Sequence, residues 1–114
     1  MQVSEKKCLV VLCTCPAGAQ AAQLAETLVG EGLAACVNRL PGMVSNFRWD
    51  GRVQEEAETL LLIKTTADGL PALTARITEL HPYELPEVVA VPVVGGLEDY
   101  LDWIRTSVSG PSTR

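Results

Sequence analysis

A two-residue turn near the middle of the chain, Asp50-Gly51, is the feature that most constrains the fold. An Asp-Gly pair between two extended stretches indicates an antiparallel hairpin, because both turn residues need positive φ. The first arm is predicted from Leu33 to Trp49, with a bend or bulge at Pro41-Gly42, and the return arm from about Arg52 to Thr65. Arms of about fifteen residues, at ~3.3 Å each, would overhang a small domain. We therefore expect a long protruding hairpin that needs a partner, because an isolated ribbon is marginally stable in water.

The remaining pattern places this hairpin between helices. The apolar run from Leu9 to Cys13 predicts a buried strand, after which Pro16 is expected to open a helix. Asp68 is expected to cap a second helix, a strand is predicted from Val88 to Val93, and a last helix follows Gly95-Gly96. The apolar positions predicted to face the core from the three helices are Ala21, Leu24, Ala25, Leu28 and Val29, then Leu70, Leu73, Ile77 and Leu80, then Leu97, Tyr100, Leu101, Ile104 and Val108.

The resulting order of elements is βαββαβ with an extra C-terminal helix. This order predicts an α+β, ferredoxin-like fold with an antiparallel sheet and helices packed on one face. The chain of 114 residues suits one domain, which we expect to cover residues 1–114 with frayed ends at 1–7 and 109–114. We also expect the chain to oligomerise through its hairpin, because open strand edges are otherwise prone to aggregation.

Charge and hydropathy exclude several classes of function. The net charge of −5 and the pI of about 4.8 argue against a nucleic-acid partner, because such binding depends on Lys and Arg at phosphates. No segment approaches the ~20 apolar residues that span a bilayer, so no membrane partner is expected. The N-terminus lacks the order of regions found in a signal peptide. We therefore expect a cytoplasmic protein whose four cysteines are thiols.

The segment from His81 to Glu87, HPYELPE, carries the densest polar chemistry. It contains the chain's only histidine, together with Tyr83, Glu84 and Glu87, and two prolines restrict its backbone. A stiff loop next to a strand can hold polar side chains in place at a low entropic cost, which favours a binding site. The alternative is a stiff helix-to-strand connection whose two carboxylates are solvated.

Seven segments, taken together and in order, resemble the CutA divalent-cation tolerance family. They are Val11-Leu12-Cys13-Thr14, Leu33-Ala34-Ala35-Cys36-Val37-Asn38, Pro41-Gly42, Trp49-Asp50-Gly51, Leu62-Ile63-Lys64-Thr65-Thr66, His81-Pro82-Tyr83 with Pro86-Glu87, and Tyr100-Leu101-Asp102-Trp103-Ile104. The resemblance implies a ferredoxin-like fold and a tight homotrimer, similar in architecture to PII-type nitrogen-signalling trimers. It also implies a link to tolerance of copper and other divalent metals in bacteria.

The same resemblance implies Cys13 and His81 as metal ligands. Some family members have a second histidine just before the first, and Leu80 stands at that position here. Cys15 lies two residues from Cys13, so both sulfurs can share one face of a strand. Thiolates suit Cu(I), and thiolates with imidazole suit Cu or Zn. The alternative is that Cys13 and Cys36 are core residues and that His81 is a hydrogen-bonded loop residue.

Three classes of function follow. The first is a homotrimer that binds copper or similar divalent metal ions. The second is a PII-like signalling trimer that binds a small molecule in an intersubunit cleft, for which the candidate lining residues are Trp49, Lys64, Tyr83, Glu84 and Glu87. The third is a structural trimer that scaffolds another protein. An enzyme is not expected, because the sequence shows no arrangement of a nucleophile with a neighbouring base.

Overall fold

A computed structural model describes residues 6–109 of the chain. The strands and helices in this range are β1 (Cys8–Pro16), α1 (Ala19–Gly30), β2 (Cys36–Trp49), β3 (Arg52–Thr66), α2 (Leu70–Leu80), β4 (Val89–Pro92) and α3 (Glu98–Ser107). This order confirms the predicted βαββαβ arrangement followed by an additional helix.

The strands form one antiparallel sheet in the spatial order β2-β3-β1-β4. The predicted α+β, ferredoxin-like fold is therefore confirmed. β3 pairs with β1 along the whole stretch Cys8–Pro16, whereas β4 pairs only with residues 9–12 of β1. As a result, the end of β1 from Cys13 onward runs past the short edge strand.

The β2-β3 hairpin has the geometry that its turn sequence predicts. Asp50 and Gly51 both have positive φ, of 53° and 72°. The strand register shifts between Leu40 and Met43, where the bulge was predicted at Pro41-Gly42. The half of the hairpin next to the turn lies outside the core, and Val53 is 69% exposed. The molecule accordingly measures 42 × 29 × 22 Å along its principal axes.

Two separate hydrophobic clusters cover the two faces of the sheet. On one face, alternate residues of β1, including Val11, Cys13 and Cys15, join Leu61 and Ile63 of β3 beneath α1 and α2. On the other face, Cys8 packs with Leu101 and Ile104 of α3. Cys8 and Cys13 therefore lie on opposite sides of the sheet.

α3 covers only part of its face and leaves a patch that we call the open sheet face. Cross-strand partners in an antiparallel sheet point to the same side, and the pairs Leu12–Leu62 and Val10–Val91 define this side. Val89 and Val91 are 50% and 46% exposed. The apolar residues of the open sheet face are Val10, Leu12, Leu40, Leu60, Leu62, Val89 and Val91.

Two predicted helix starts are wrong. Pro16 does not open α1: it is the last residue of β1, where it pairs with Glu58, and the helix begins at Ala19. β4 ends before it reaches Pro16, so a residue without an N–H is tolerated at this edge. Asp68 does not cap α2. Gly69 is the residue before the helix, and the Asp68 carboxylate instead accepts a hydrogen bond from the Thr66 hydroxyl.

Four of the predicted core positions are exposed. They are Val29, Leu80, Leu97 and Tyr100, which are 42%, 41%, 75% and 39% exposed. Each lies in the first or last turn of its helix, or just before it, beyond the part that packs on the sheet. The predicted stripes are correct for the helix centres, where Leu28, Leu73 and Ile77 are fully buried.

The predicted frayed ends fall mainly on residues 1–5 and 110–114, which lie outside the range that the structure describes. Inside that range, the Lys7 carbonyl accepts a hydrogen bond from the Ala67 N–H, and the Ser109 N–H donates to the Gly32 carbonyl. Among residues 6–109, no helix is long and apolar enough to cross a lipid bilayer.

Candidate functional site

Two elements bring two cysteines and the histidine together at one end of the sheet. Cys13 and Cys15 occupy alternate positions of β1 and face the same side. α2 ends at Leu80, and the extended backbone of His81 turns its ring toward β1. One ligand atom from each of Cys13, Cys15 and His81 lies within 4.8 Å of the others, and all three side chains are buried. We call these residues the thiol-imidazole cluster.

Cys36 does not belong to this cluster. It is half-buried on β2, opposite Lys64, on the other face of the sheet. Cys8 is also on that face, where its thiol lies 3.6 Å from the Leu101 carbonyl oxygen. Of the four cysteines, the structure therefore groups only Cys13 and Cys15 with His81.

Both ring nitrogens of His81 have hydrogen-bond partners. Nε2 lies 2.7 Å from the Thr14 carbonyl oxygen, and Nδ1 lies 3.1 Å from the backbone nitrogen of Tyr83. A carbonyl only accepts and an amide N–H only donates, so Nε2 carries the proton and Nδ1 accepts. The buried imidazole is therefore neutral, with its tautomer set by the two backbone groups.

The two thiols of the cluster influence each other. The hydrogen bond from Cys13 lowers the pKa of Cys15 below its ordinary value, because it stabilises the Cys15 thiolate. The same hydrogen bond, followed by burial, raises the pKa of Cys13 far above its ordinary value. Cys15 is therefore the first of the two to ionise, and Cys13 keeps its proton until a cation replaces it.

Tyr83 links this cluster to a buried carboxylate that the sequence analysis missed. Its hydroxyl donates to Oε2 of Glu58 at 2.7 Å, and its ring centroid lies 4.8 Å from that of His81. Glu58 is only 3% exposed. Burial, and then the hydrogen bond to Glu58, raise the pKa of Tyr83 far above its ordinary value. The signal that could have found Glu58 is its position as the last carboxylate before the apolar run of β3.

A cleft of about 380 Å³ lies between the hairpin and the loop that follows α2. Its lining residues are Pro16, Phe47, Trp49, Glu56, Pro82, Tyr83, Glu84 and Leu85. Three of the five residues proposed for a cleft, Trp49, Tyr83 and Glu84, line this one.

The other two proposed cleft residues, Lys64 and Glu87, do not line it. Lys64 lies on the α3 side of the sheet, where Nζ donates to the Tyr100 hydroxyl at 3.2 Å and stands 5.4 Å from that ring's centroid. Strand alternation places it on this face, because its neighbour Ile63 belongs to the opposite core. Glu87 is exposed in the loop before β4.

A second cavity, of about 270 Å³, reaches the thiol-imidazole cluster from the helical side. It is lined by Cys15, Gln20, Gln23, Leu24, Thr27, Leu80 and Pro82. Because Gln20 and Gln23 are exposed, the cavity connects the Cys15 side chain with the surface. Pro82 lines both this cavity and the larger cleft.

Comparisons with known proteins agree on one family. Residues 9–107 match the family described as CutA1 divalent ion tolerance protein. A divalent-cation tolerance protein CutA from Thermus thermophilus is 51% identical over 96 residues, which cover 84% of this chain and 93% of the relative. The crystallised Thermus protein superposes with a TM-score of 0.87 at 48% identity, covering 90% of this chain and 99% of its own.

Two further solved structures share the fold. One, from Archaeoglobus fulgidus, is described as a periplasmic divalent cation tolerance protein CutA; it is 30% identical, with a TM-score of 0.86 over 90% of this chain and 99% of its own. The other, described as a PII-like protein CutA from Nostoc sp. PCC 7120, is 37% identical, with a TM-score of 0.83 over 89% of this chain and 97% of its own. The match over nearly the whole chain, in sequence and in fold, shows that this chain belongs to the CutA1 divalent ion tolerance protein family.

Proposed function

We propose that this protein is a cytoplasmic homotrimer that binds copper or a similar metal ion at the thiol-imidazole cluster and so contributes to divalent-cation tolerance. The observation that carries the proposal is the convergence of three buried ligand atoms, from Cys13, Cys15 and His81, within 4.8 Å of one another. Two sulfurs and an imidazole form a soft ligand set, which suits Cu(I) or Zn²⁺ rather than Mg²⁺ or Ca²⁺.

The protonation of the cluster is compatible with this role. Metal binding requires thiolates and a neutral imidazole. The imidazole of His81 is already neutral, and the thiol of Cys15 ionises readily because Cys13 donates to it. The metal ion then takes the place of the remaining proton on Cys13. The cavity beside Cys15 supports ion entry, because its exposed glutamines and Thr27 offer polar groups along the way.

Self-association is supported by surfaces that one protomer leaves uncovered. The open sheet face presents Leu40, Val89 and Val91, each exposed by 43% or more. The hairpin adds further apolar surface at Val44 and Val53, which are 58% and 69% exposed. Apolar surface of this kind on a folded chain is typical of protein interfaces. We propose three protomers from the family resemblance, and light scattering is expected to give about three times 12.2 kDa.

A second candidate function is the binding of a small molecule in the 380 Å³ cleft. This volume falls within the range of ~300–1,000 Å³ that is typical of ligand pockets. The relative from Nostoc that is described as PII-like gives this candidate a parallel in the family. We propose binding rather than catalysis in both cases, because His81 has both ring nitrogens engaged and is not free to act as a base.

Cu(I) binding to single-cysteine and histidine variants tests the metal site. Cys13→Ser, Cys15→Ser and His81→Ala are each expected to weaken Cu(I) binding by at least about tenfold, or ~1.4 kcal/mol. The measurement is competition against a chromophoric Cu(I) chelator under anaerobic, reducing conditions. Cys8→Ser is the matched control, because Cys8 is equally buried but lies on the opposite face of the sheet.

The outcomes separate a built site from incidental binding. Loss of affinity in the three cluster variants, with Cys8→Ser unchanged, supports the proposal. Unchanged affinity in all three cluster variants contradicts it, and an equal loss in Cys8→Ser shows that any thiol suffices. Cell fractionation tests the proposed cytoplasmic location, which differs from the description of the Archaeoglobus relative.

A further inference from the structure

The walls of the 380 Å³ cleft present aromatic surface that the protein itself does not cover. Phe47 and Trp49 come from the hairpin, and Tyr83 comes from the loop after α2. Phe47 is 38% exposed and Trp49 is 41% exposed. Between residues 6 and 109, the aromatic contacts pair His81 with Tyr83 and Tyr100 with Trp103, so the rings of Phe47 and Trp49 face the cleft without an aromatic neighbour.

The same cleft carries uncompensated negative charge. Glu56 and Glu84 line it, and Glu58 lies buried behind the Tyr83 hydroxyl. The ion pairs found among the described residues involve Lys6, Arg76 and Arg105, and none of them reaches these three carboxylates. A carboxylate that is buried without a cation is costly, so this side of the molecule attracts positive charge.

We propose that the cleft binds a small organic cation that carries an alkylated ammonium group. This inference rests on the second candidate function above and names the class of ligand for that site. Aromatic faces attract quaternary and alkylated ammonium groups through their π electrons, and Trp is the most effective ring. The carboxylates of Glu56 and Glu84 compensate the charge, while Phe47 and Trp49 contact the alkyl groups.

Other ligand classes use only part of this lining. An anion would be repelled by Glu56, Glu58 and Glu84, and a neutral apolar molecule would leave their charge uncompensated. A hydrated metal ion would bind the carboxylate oxygens but would gain little from the exposed faces of Phe47 and Trp49. An alkylated ammonium combines charge with an apolar surface, and all of the lining residues come from one chain, so the site is complete without a partner subunit.

Choline and its uncharged carbon analogue, 3,3-dimethyl-1-butanol, provide a matched pair of probes. Calorimetric titration of the metal-free protein with each probe measures what the charge contributes at nearly constant shape. Trp49→Leu and Glu84→Gln remove a ring and a charge from the cleft. Their controls are Trp103→Leu and Glu26→Gln, which make the same substitutions at exposed positions outside it.

The expected result is saturable binding of choline, with the uncharged analogue weaker by at least about threefold. Trp49→Leu and Glu84→Gln are each expected to weaken choline binding by a similar factor, and the two controls are expected to leave it unchanged. The proposal is overturned if choline does not bind saturably, if the analogue binds equally well, or if the controls lose as much affinity as the cleft variants. An effect of Glu84→Gln without one of Trp49→Leu would also overturn it, because it would indicate a plain carboxylate site.

The double variant Cys13→Ser/Cys15→Ser keeps this test separate from that of the metal site. It is expected to lose Cu(I) binding and to keep choline binding. Loss of choline binding in the cleft variants alone supports the present proposal whatever the Cu(I) result. Absence of choline binding from a protein that still binds Cu(I) refutes the present proposal and leaves the metal site standing.

Discussion

The imidazole of His81 and the backbone of Tyr83 are joined by one hydrogen bond, in which Nδ1 accepts the Tyr83 N–H at 3.1 Å. The other ring nitrogen gives its proton to the Thr14 carbonyl at 2.7 Å. A metal that coordinates Nδ1 displaces the Tyr83 N–H. A metal that coordinates Nε2 moves the proton of a neutral ring to Nδ1, which then faces the N–H donor. Coordination through either nitrogen therefore breaks the contact between His81 and Tyr83.

We expect metal binding to shift the backbone amide of Tyr83. Titration of ¹⁵N-labelled protein with Zn²⁺, followed by NMR, is expected to move the Tyr83 amide resonance and to leave the indole resonance of Trp103 in place. The variant Cys13→Ser/Cys15→Ser is expected to show neither change. A Tyr83 amide that stays put while metal is bound at the cluster would mean that His81 is not a ligand.

Removal of the Tyr83 hydroxyl is expected to destabilise the fold. Tyr83→Phe leaves the buried carboxylate of Glu58 without this donor, and hydrogen bonds to charged groups contribute about 1.5–3 kcal/mol. Chemical denaturation is expected to show a loss of that order in the free energy of unfolding. Tyr100→Phe serves as the control, because the Tyr100 hydroxyl contacts the exposed end of Lys64. Equal, small losses in both variants would show that Glu58 finds another donor.

The stability of the protein should also fall in alkali because of Tyr83. Its pKa in the folded state is raised above the ordinary value of 10.0, so the unfolded chain loses this proton first. The stabilising contribution is therefore complete below about pH 10 and is lost as the pH rises beyond it, with a slope of at most ~1.4 kcal/mol per pH unit. Denaturation curves at pH 9–11 for the wild type and Tyr83→Phe are expected to converge. Parallel curves would contradict the assignment.

A charge on the open sheet face is expected to prevent assembly. Val91 is 46% exposed on β4 and belongs to that face. Light scattering of Val91→Lys is expected to show smaller species at concentrations where the wild type is trimeric, because burying an unpaired ammonium is costly. Val94→Lys is the control, since Val94 is 94% exposed and lies beyond the end of β4. If Val91→Lys remains trimeric, the open sheet face is not the interface.

The hairpin turn offers a second way to weaken assembly. Gly51 has a φ of 72° and open space around a Cβ position, so a valine there is opposed by backbone strain alone. Gly51→Val is expected to cost about 1–2 kcal/mol and to raise the concentration at which the trimer dissociates. Gly95→Val, at a glycine without positive φ and with equal space, is expected to have little effect. Identical dissociation of the two variants would exclude the hairpin from the interface.

Sequence patterns predicted the elements of this fold well because their signals are local. The Asp50-Gly51 turn fixed the hairpin, and the bulge followed from Pro41-Gly42. The helix beginning that was assigned to Pro16 failed because the length of β4, which is set far along the chain, decides whether a strand can end in proline. Leu80 and Leu97 failed because periodicity gives the face of a helix and not where its cover ends.

The candidate site was only partly predictable for a similar reason. Cys13 and His81 came from a family resemblance, and strand alternation placed Cys15 beside Cys13. Glu58 was missed because nothing local distinguishes it from the polar residues before it, and it is the distant Tyr83 that makes it a buried acceptor. Lys64 was misplaced because its sheet face depends on the register of β3 with β1.

The short length of β4 has a consequence for how the sheet ends. Its pairing with β1 stops at Leu12, and two residues further on the imidazole of His81 takes up the Thr14 carbonyl that a longer strand would have met. A side chain thus does the work of a strand, and a side chain can be withdrawn without unfolding a sheet. Whatever draws His81 away uncovers a short stretch of β-strand backbone that is ready to pair with another chain. The protein that guards a metal ion there would, on releasing its histidine, acquire an adhesive edge.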